Sequence, residues 1–254
     1  MAAMGRIAVL LNQKGGVGKT TVTLGLASAA AHAGDRVLVV DLDPQGSSTW
    51  VLGHDPADGR PSTADVLGPG RAAISVVMSH WGLEVDLVPS SPRLLDHEAG
   101  RPKRLRRALR HIAADYDAVL IDCPPSLGNL TMSGLIAADL ALIVVEPAAL
   151  GLRGIGAVAD AIDNVWTTHN SDLELAGVVV NKVPAISGEA DRRYEELGSI
   201  VGRKTIWQPS IPQRVIVNQA IGERRSIHSF GARSADVSHA FDALWSKLRK
   251  LARS

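Results

Sequence analysis

Apolar residues along this chain fall into short runs at residues 7–11, 36–41, 83–89, 118–122, 141–145 and 176–181. Each run is rich in Val, Leu, Ile or Ala at consecutive rather than alternate positions, the pattern of strands buried on both faces. Between most of them apolar residues recur three and four apart. That spacing predicts helices over 20–33, 103–114, 130–137, 154–166 and 190–202, with a last one over 237–251. Strands alternating with helices predict an α/β fold, a mostly parallel twisted sheet with helices on both faces and a ligand at the carboxyl ends of the strands. Residues 53–70 are rich in Pro, Gly and Asp and read as a loop. No repeat or long linker interrupts the pattern, so residues 1–254 are expected to form a single domain.

Composition narrows the class. The chain is 46% hydrophobic and 21% charged, which is globular rather than disordered. With two Phe and two Tyr, the core must be built from aliphatic residues. The single cysteine, Cys123, excludes an internal disulfide, suits a reducing compartment and reads as a small buried spacer. No apolar run approaches the ~18 residues of a membrane span, and the first strand begins too early for a signal peptide to be expected. Net charge is +1, yet residues 192–254 hold twelve Lys or Arg against five Asp or Glu. Such asymmetry marks either a polyanion-binding face or a solvated surface.

The first strand leads into Gln13-Lys14-Gly15-Gly16-Val17-Gly18-Lys19-Thr20-Thr21, which opens the first helix. Strand, Gly-rich turn and helix is the context of a phosphate-binding P-loop. Backbone N–H groups from Gly15 to Thr21 close around phosphate oxygens, and the helix N-terminus adds its positive end. Lys19 is placed for the β- and γ-phosphates and the Thr20 hydroxyl for Mg²⁺. Gln13 stands where the general pattern has its first glycine, and a second lysine, Lys14, follows at once.

Carboxylates close two further strands. The second ends in Asp41-Leu42-Asp43-Pro44-Gln45-Gly46, where an acid beside phosphates and Mg²⁺ orients water, holds a metal-bound one, or caps the turn. The strand at 118–122 ends in Asp122 before Cys123-Pro124-Pro125-Ser126-Leu127, which fits a Walker B acid acting on Mg²⁺ through water. At Asn181-Lys182-Val183-Pro184, a guanine site needs an acid where Pro184 stands. Asn181 offers an amide to adenine instead, which favours ATP over GTP.

Taken in order, KGGVGKTT, DLDPQG, DCPPSL and the C-terminal Gly231-Ala232-Arg233-Ser234 region, with Val88-Pro89-Ser90-Ser91 beside them, resemble the deviant P-loop ATPases of the ParA/MinD family, the ParA/Soj-type partitioning proteins above all. The resemblance implies a slow, Mg²⁺-dependent ATPase whose ATP-bound form is a homodimer. Lys14 then crosses the dimer interface to the partner's nucleotide. Asp43 orients the attacking water, Asp41 supports the metal shell, and Pro212 of Ile211-Pro212 lines the adenine side. Lys14, Lys19 and Asp43 are thus the catalytic set. The resemblance further implies non-specific DNA binding, a ParB-like or cargo-adaptor activator, and a cytoplasmic, nucleoid-associated protein that segregates a chromosome or plasmid or positions another cargo. Arg203, Lys204, Arg214, Arg224 and Arg225 are candidate phosphate contacts by charge and position. The family's I-P-R-x-x-R-x-x-E-A segment is altered over residues 211–220. Because the P-loop starts so early, an N-terminal operator-reading domain is not expected.

A MinD-like membrane ATPase is the alternative. Phe241, Leu244, Trp245, Leu248 and Leu251 form an apolar stripe beside Lys247, Arg249 and Lys250, suited to lipid docking or to core packing. One cysteine is too few for a nitrogenase-type iron protein, and no C-terminal tyrosine cluster suggests an autokinase. A dethiobiotin-synthetase-like ligase leaves Lys14 unexplained. Arg101, Lys103, Arg104, Arg106, Arg107 and Arg110 crowd one short helix, as a solvated face or an accessory nucleic-acid patch.

Overall fold

The computed structural model describes residues 5–69, 74–81, 84–97, 102–148 and 154–252. Among these, seven strands form one sheet: β1 (Arg6–Leu11), β2 (Val37–Asp41), β3 (Val77–Met78), β4 (Val85–Val88), β5 (Ala118–Asp122), β6 (Leu140–Val145) and β7 (Glu174–Val180). Their spatial order is β3-β4-β2-β5-β1-β6-β7. Every pairing is parallel except β3 with β4.

Strand alternation feeds two cores. On one face Ile7, Val9 and Leu11 meet α3 (Thr63–Leu67), α4 (Lys103–Arg110), α5 (Asn129–Ala137), α6 (Ile155–Thr168) and α7 (Gly188–Val201). On the other, Ala8 and Leu10 meet α1 (Lys19–His32), α2 (Ser47–Val51), α8 (Val215–Gly222) and α9 (Ala235–Ala252). The central strands are therefore apolar on both sides, which is why their runs are unbroken. Gly25 lets α1 and α9 touch: a Cβ there lies 2.2 Å from the Phe241 ring.

Phe241, Leu244, Trp245 and Leu248 are all buried in the second core. Trp245 donates its indole N–H to Asp35 (2.9 Å), and Arg249 pairs with the same carboxylate (2.9 Å). The apolar face that a lipid-docking helix needs is spent on α1. Cys123 is buried against Gly134, and burial pushes its thiol pKa up.

Three short helices depart from the sequence pattern. The 53–70 segment contains α3, started by a capping box in which Ser62 and Asp65 satisfy each other's backbone N–H groups; Gly70 lies outside the described residues. Helices α2 and α8 also lie where no helix is expected, and both are too short to show a period. The 103–114 helix stops at Arg110 and gives way to a 3₁₀ turn, Ala113–Asp115. Leu83 and Arg101 lie outside the described residues. In α4, Leu105 and Leu109 are buried, while Arg106 reaches the Ile136 carbonyl (3.0 Å) and Asp172 (3.1 Å), with Arg110 3.6 Å from the same acid. Part of that basic cluster thus fastens α4 to its neighbours.

Candidate functional site

The P-loop leaves β1 at a fully buried Asn12, whose amide donates to Val144 on β6 (2.7 Å) and whose Oδ1 accepts from the Lys14 N–H (2.9 Å). One side chain thereby fixes the start of the loop to the neighbouring strand. Gly16 and Gly18 are left-handed, at φ 80° and 92°, a conformation costly for other residues. Gly18 precedes α1 with no side-chain cap, which leaves the first-turn N–H groups available to an anion. A Cβ at Gly18 would lie 2.2 Å from the Asn181 amide.

Lys19 is buried, and desolvation pulls its pKa below the usual lysine range despite Asp122 and Asp43 nearby. The only hydrogen bond of its ammonium among the described residues is a long one, 3.4 Å, to the Lys14 carbonyl. A buried cation with so little to hold is suited to a dense anion. Lys14 instead pairs through its ammonium with Glu146, just beyond β6.

Asp41 and Asp122 sit side by side at the ends of β2 and β5, both fully buried. Burial is the first cause that raises both pKa values; for Asp41 the neighbouring Asp122 charge is the next. Asp122 Oδ2 accepts from Thr20 (2.7 Å) and Ser48 (2.7 Å), while its buried Oδ1 has no partner among the described residues. An orphaned carboxylate oxygen beside a P-loop hydroxyl fits a hard cation such as Mg²⁺. Asp41, expected to support the metal shell, accepts hydrogen bonds on both oxygens. Its Oδ2 accepts from the Thr49 N–H (2.8 Å) and O–H (2.7 Å), and its Oδ1 from the Asp43 N–H (3.1 Å). Both oxygens serve to fasten the loop that carries Asp43. Asp43 itself is half-buried, and its Oδ1 accepts from the Gln45 N–H (2.9 Å).

The two segments expected beside the base come together. Val183 bridges to Pro212, and its N–H donates to Ile211 (3.0 Å). Asn181, however, spends one amide hydrogen on the Val17 carbonyl (2.9 Å), bracing the P-loop from β7. Lys182 donates to Gly16 in the same way.

The raised carboxylates fix a pH dependence. A folded-state pKa above the unfolded one contributes stability at low pH and loses it as pH climbs from the unfolded value, about 4, through the raised one. Asp122→Asn should therefore raise the apo melting stability at neutral pH by about 1–3 kcal/mol, a gain that vanishes near pH 4. Scanning calorimetry of both proteins across that range checks it; a destabilised variant at neutral pH contradicts it.

Comparison with known proteins agrees with this geometry. A family described as "AAA domain" matches residues 5–175. The sporulation initiation inhibitor protein Soj of Bacillus subtilis is 33% identical over 237 residues, 91% of this chain and 93% of that protein. The chain belongs to the ParA/Soj family of P-loop ATPases. The chromosome partitioning protein ParA of Myxococcus xanthus is 34% identical over 224 residues, covering 86% and 79% of the two chains. A solved structure of cobyrinic acid a,c-diamide synthase from Mycobacterium smegmatis, with a bound ATP analog and magnesium, superposes at TM-score 0.81 with 31% identity over 98% of both chains.

For a ParA-family chain the expected DNA contacts are scattered. Arg203 pairs with Glu195, Arg214 with Asp236 (2.6 Å) and Arg225 with Glu223 (3.2 Å). Lys204 is exposed with no ion pair among the described residues. Arg203 and Lys204 lie by β7, whereas the Arg224 carbonyl accepts from Trp81 just after β3 (3.2 Å). Those strands are opposite edges of the sheet, so the five residues do not form one patch on a monomer. Chain position alone grouped them. The residues that sequence reasoning missed, Asn12, Ser48, Thr49 and Glu146, are polar groups at strand ends or beside the DLDPQG segment, which is the one signal that marks them.

Proposed function

We propose that this chain is a ParA-type ATPase that dimerises on ATP, binds duplex DNA without sequence preference in that state, and uses hydrolysis to segregate a chromosome or plasmid or to position another cargo. The observation that carries it is Lys14. It stands at the mouth of the phosphate cradle, on a backbone braced by Asn12, with its ammonium drawn aside to Glu146. A lysine needed only for its own nucleotide duplicates Lys19; one parked on a rim acid is free to serve a second subunit.

ATP enters with its phosphates on the N–H groups of the P-loop and of α1, and Lys19 neutralises the β- and γ-oxygens. Thr20 and, through water, Asp122 would hold Mg²⁺, which shields charge between those phosphates. Asp43 accepts a proton-bearing edge of the attacking water, and Asp41 behind it fixes that carboxylate's backbone. Lys14 leaves Glu146 and meets the partner's nucleotide, so the site is complete only in the dimer. A ParB-like or adaptor protein then accelerates the reaction. Among the described residues no helix is long and apolar enough to cross a membrane, and the buried stripe of α9 argues against lipid docking. A nucleoid-associated, cytoplasmic location follows from the proposed DNA binding.

Asp43→Ala tests it. The variant should bind ATP and dimerise, yet hydrolyse about 10²-fold more slowly or worse, since a positioned acid or base contributes about that much. Sedimentation with Mg·ATP should find a persistent dimer, and phosphate release should be lost. A variant unable to bind ATP assigns Asp43 to structure and overturns its role in orienting water.

A further inference from the structure

On the α1 side of the sheet, by its β3 edge, lies a cleft of about 350 Å³ that no P-loop residue lines. His32 of α1, His80 and Trp81 after β3, and Arg224 and Arg225 after α8 line it. Two of its polar groups are already answered: Arg225 by Glu223 (3.2 Å), and His228 by Asp242 (3.0 Å). Arg224 is not. Its Nε donates to the Trp50 carbonyl (2.7 Å), and its guanidinium lies 5.1 Å from the Trp50 ring. Among the described residues neither η nitrogen has an acceptor and no carboxylate faces it.

The backbone of Arg224 is also held in an uncommon state. Its φ is 55°, left-handed for a residue with a Cβ, and its carbonyl is fixed by the Trp81 indole (3.2 Å). Trp50 belongs to α2, whose Ser48 and Thr49 hold Asp122 and Asp41. A guanidinium pinned at its Nε to the Trp50 carbonyl and set over the Trp50 ring presents its remaining fork in a set direction, as bidentate recognition of an oxyanion requires. His32, stacked on His228 at 4.8 Å, and the exposed His80 add imidazole N–H donors.

We propose that this cleft is a second phosphate-binding subsite, distinct from the P-loop, in which the η nitrogens of Arg224 take two oxygens of a phosphate group while His80 and His32 flank it. The subsite stands without DNA binding, because a free phosphate and a duplex backbone offer the same oxygens; where the duplex is the source, it rests on the proposed DNA binding.

At constant ionic strength the full chain is titrated with inorganic phosphate while saturated with Mg·ADP, which fills the P-loop, and, separately, with a short random duplex while saturated with a non-hydrolysable Mg·ATP analog, the state in which the proposed DNA binding operates. Ring NMR signals of His32 and His80 are followed. Phosphate should move both signals saturably. Arg224→Asn, chosen because Asn tolerates the left-handed backbone, should weaken that binding at least about tenfold. Arg203→Gln, by β7, should not change it. Should Arg224→Asn fail to fold, His80→Gln should weaken phosphate binding read at His32. Signals moved by phosphate but not by duplex support the subsite with a free phosphorylated ligand; signals moved by both support the backbone as source. Silent histidines under both titrations overturn the subsite, and so does equal affinity in folded Arg224→Asn. Duplex that binds while both histidines stay silent overturns it too and leaves the proposed DNA binding intact.

Discussion

Lys14→Ala should keep its affinity for ATP and lose both ATP-driven dimerisation and hydrolysis. In the monomer the Lys14 ammonium touches Glu146, not the phosphate cradle, so truncating it removes nothing from the subunit's own P-loop. Its backbone N–H still reaches Asn12. What disappears is a cation delivered to the partner's transition state. Groups supplied in trans in this manner are worth about 10³–10⁵ in rate. The loss should fall toward the lower end, because the reaction without its activator is slow to begin with. Turnover and sedimentation measured together separate this from a local role: normal hydrolysis with normal dimerisation reduces Lys14 to a loop residue.

Lys19→Ala should abolish tight ATP binding. Lys19 is buried, and the one hydrogen bond of its ammonium among the described residues is the weak contact to its own loop. Its desolvated ammonium is stabilised mainly by charge, from the nearby Asp122 and Asp43, and the β- and γ-phosphates are expected to add to it when ATP binds. Truncating one member of a buried charge pair costs about 2–5 kcal/mol, roughly 30-fold to several thousand-fold in Kd. Asp122 is then left with less neutralising charge, so Mg²⁺ alone should not restore the nucleotide. Calorimetric titration with Mg·ATP reads the effect directly. Wild-type affinity in this variant removes the P-loop from the account.

The sheet and the phosphate cradle were legible because their signals are local. A buried parallel strand is an unbroken apolar run, so residues 118–122 coincide with β5. Gly16, Gly18, Lys19 and Thr20 act within one turn of chain, and their order is their geometry. Asp122 was readable as the last residue of a strand. Asp41 was readable as an acid but not as a fastener, since its task depends on Thr49 folding back over it in α2, a helix too short to announce itself. Glu146 and Asn12 reach the loop only because β6 lies beside β1, and strand order is not written in any spacing. The same ignorance of order grouped Arg203 with Arg224 across opposite edges of the sheet. The last helix carried two readings in its sequence, lipid or core. Gly25 decided between them, by the close approach it allows to Phe241.

The most direct measurement is the binding of wild-type protein to random duplex DNA with Mg·ATP and with Mg·ADP, at two salt concentrations, with sedimentation of the same samples. The account predicts a dimer on DNA with ATP, a monomer off DNA with ADP, and affinity that falls steeply with salt as phosphate contacts release counterions. Binding that ignores the nucleotide, or no DNA binding in any state together with attachment to anionic vesicles, contradicts it.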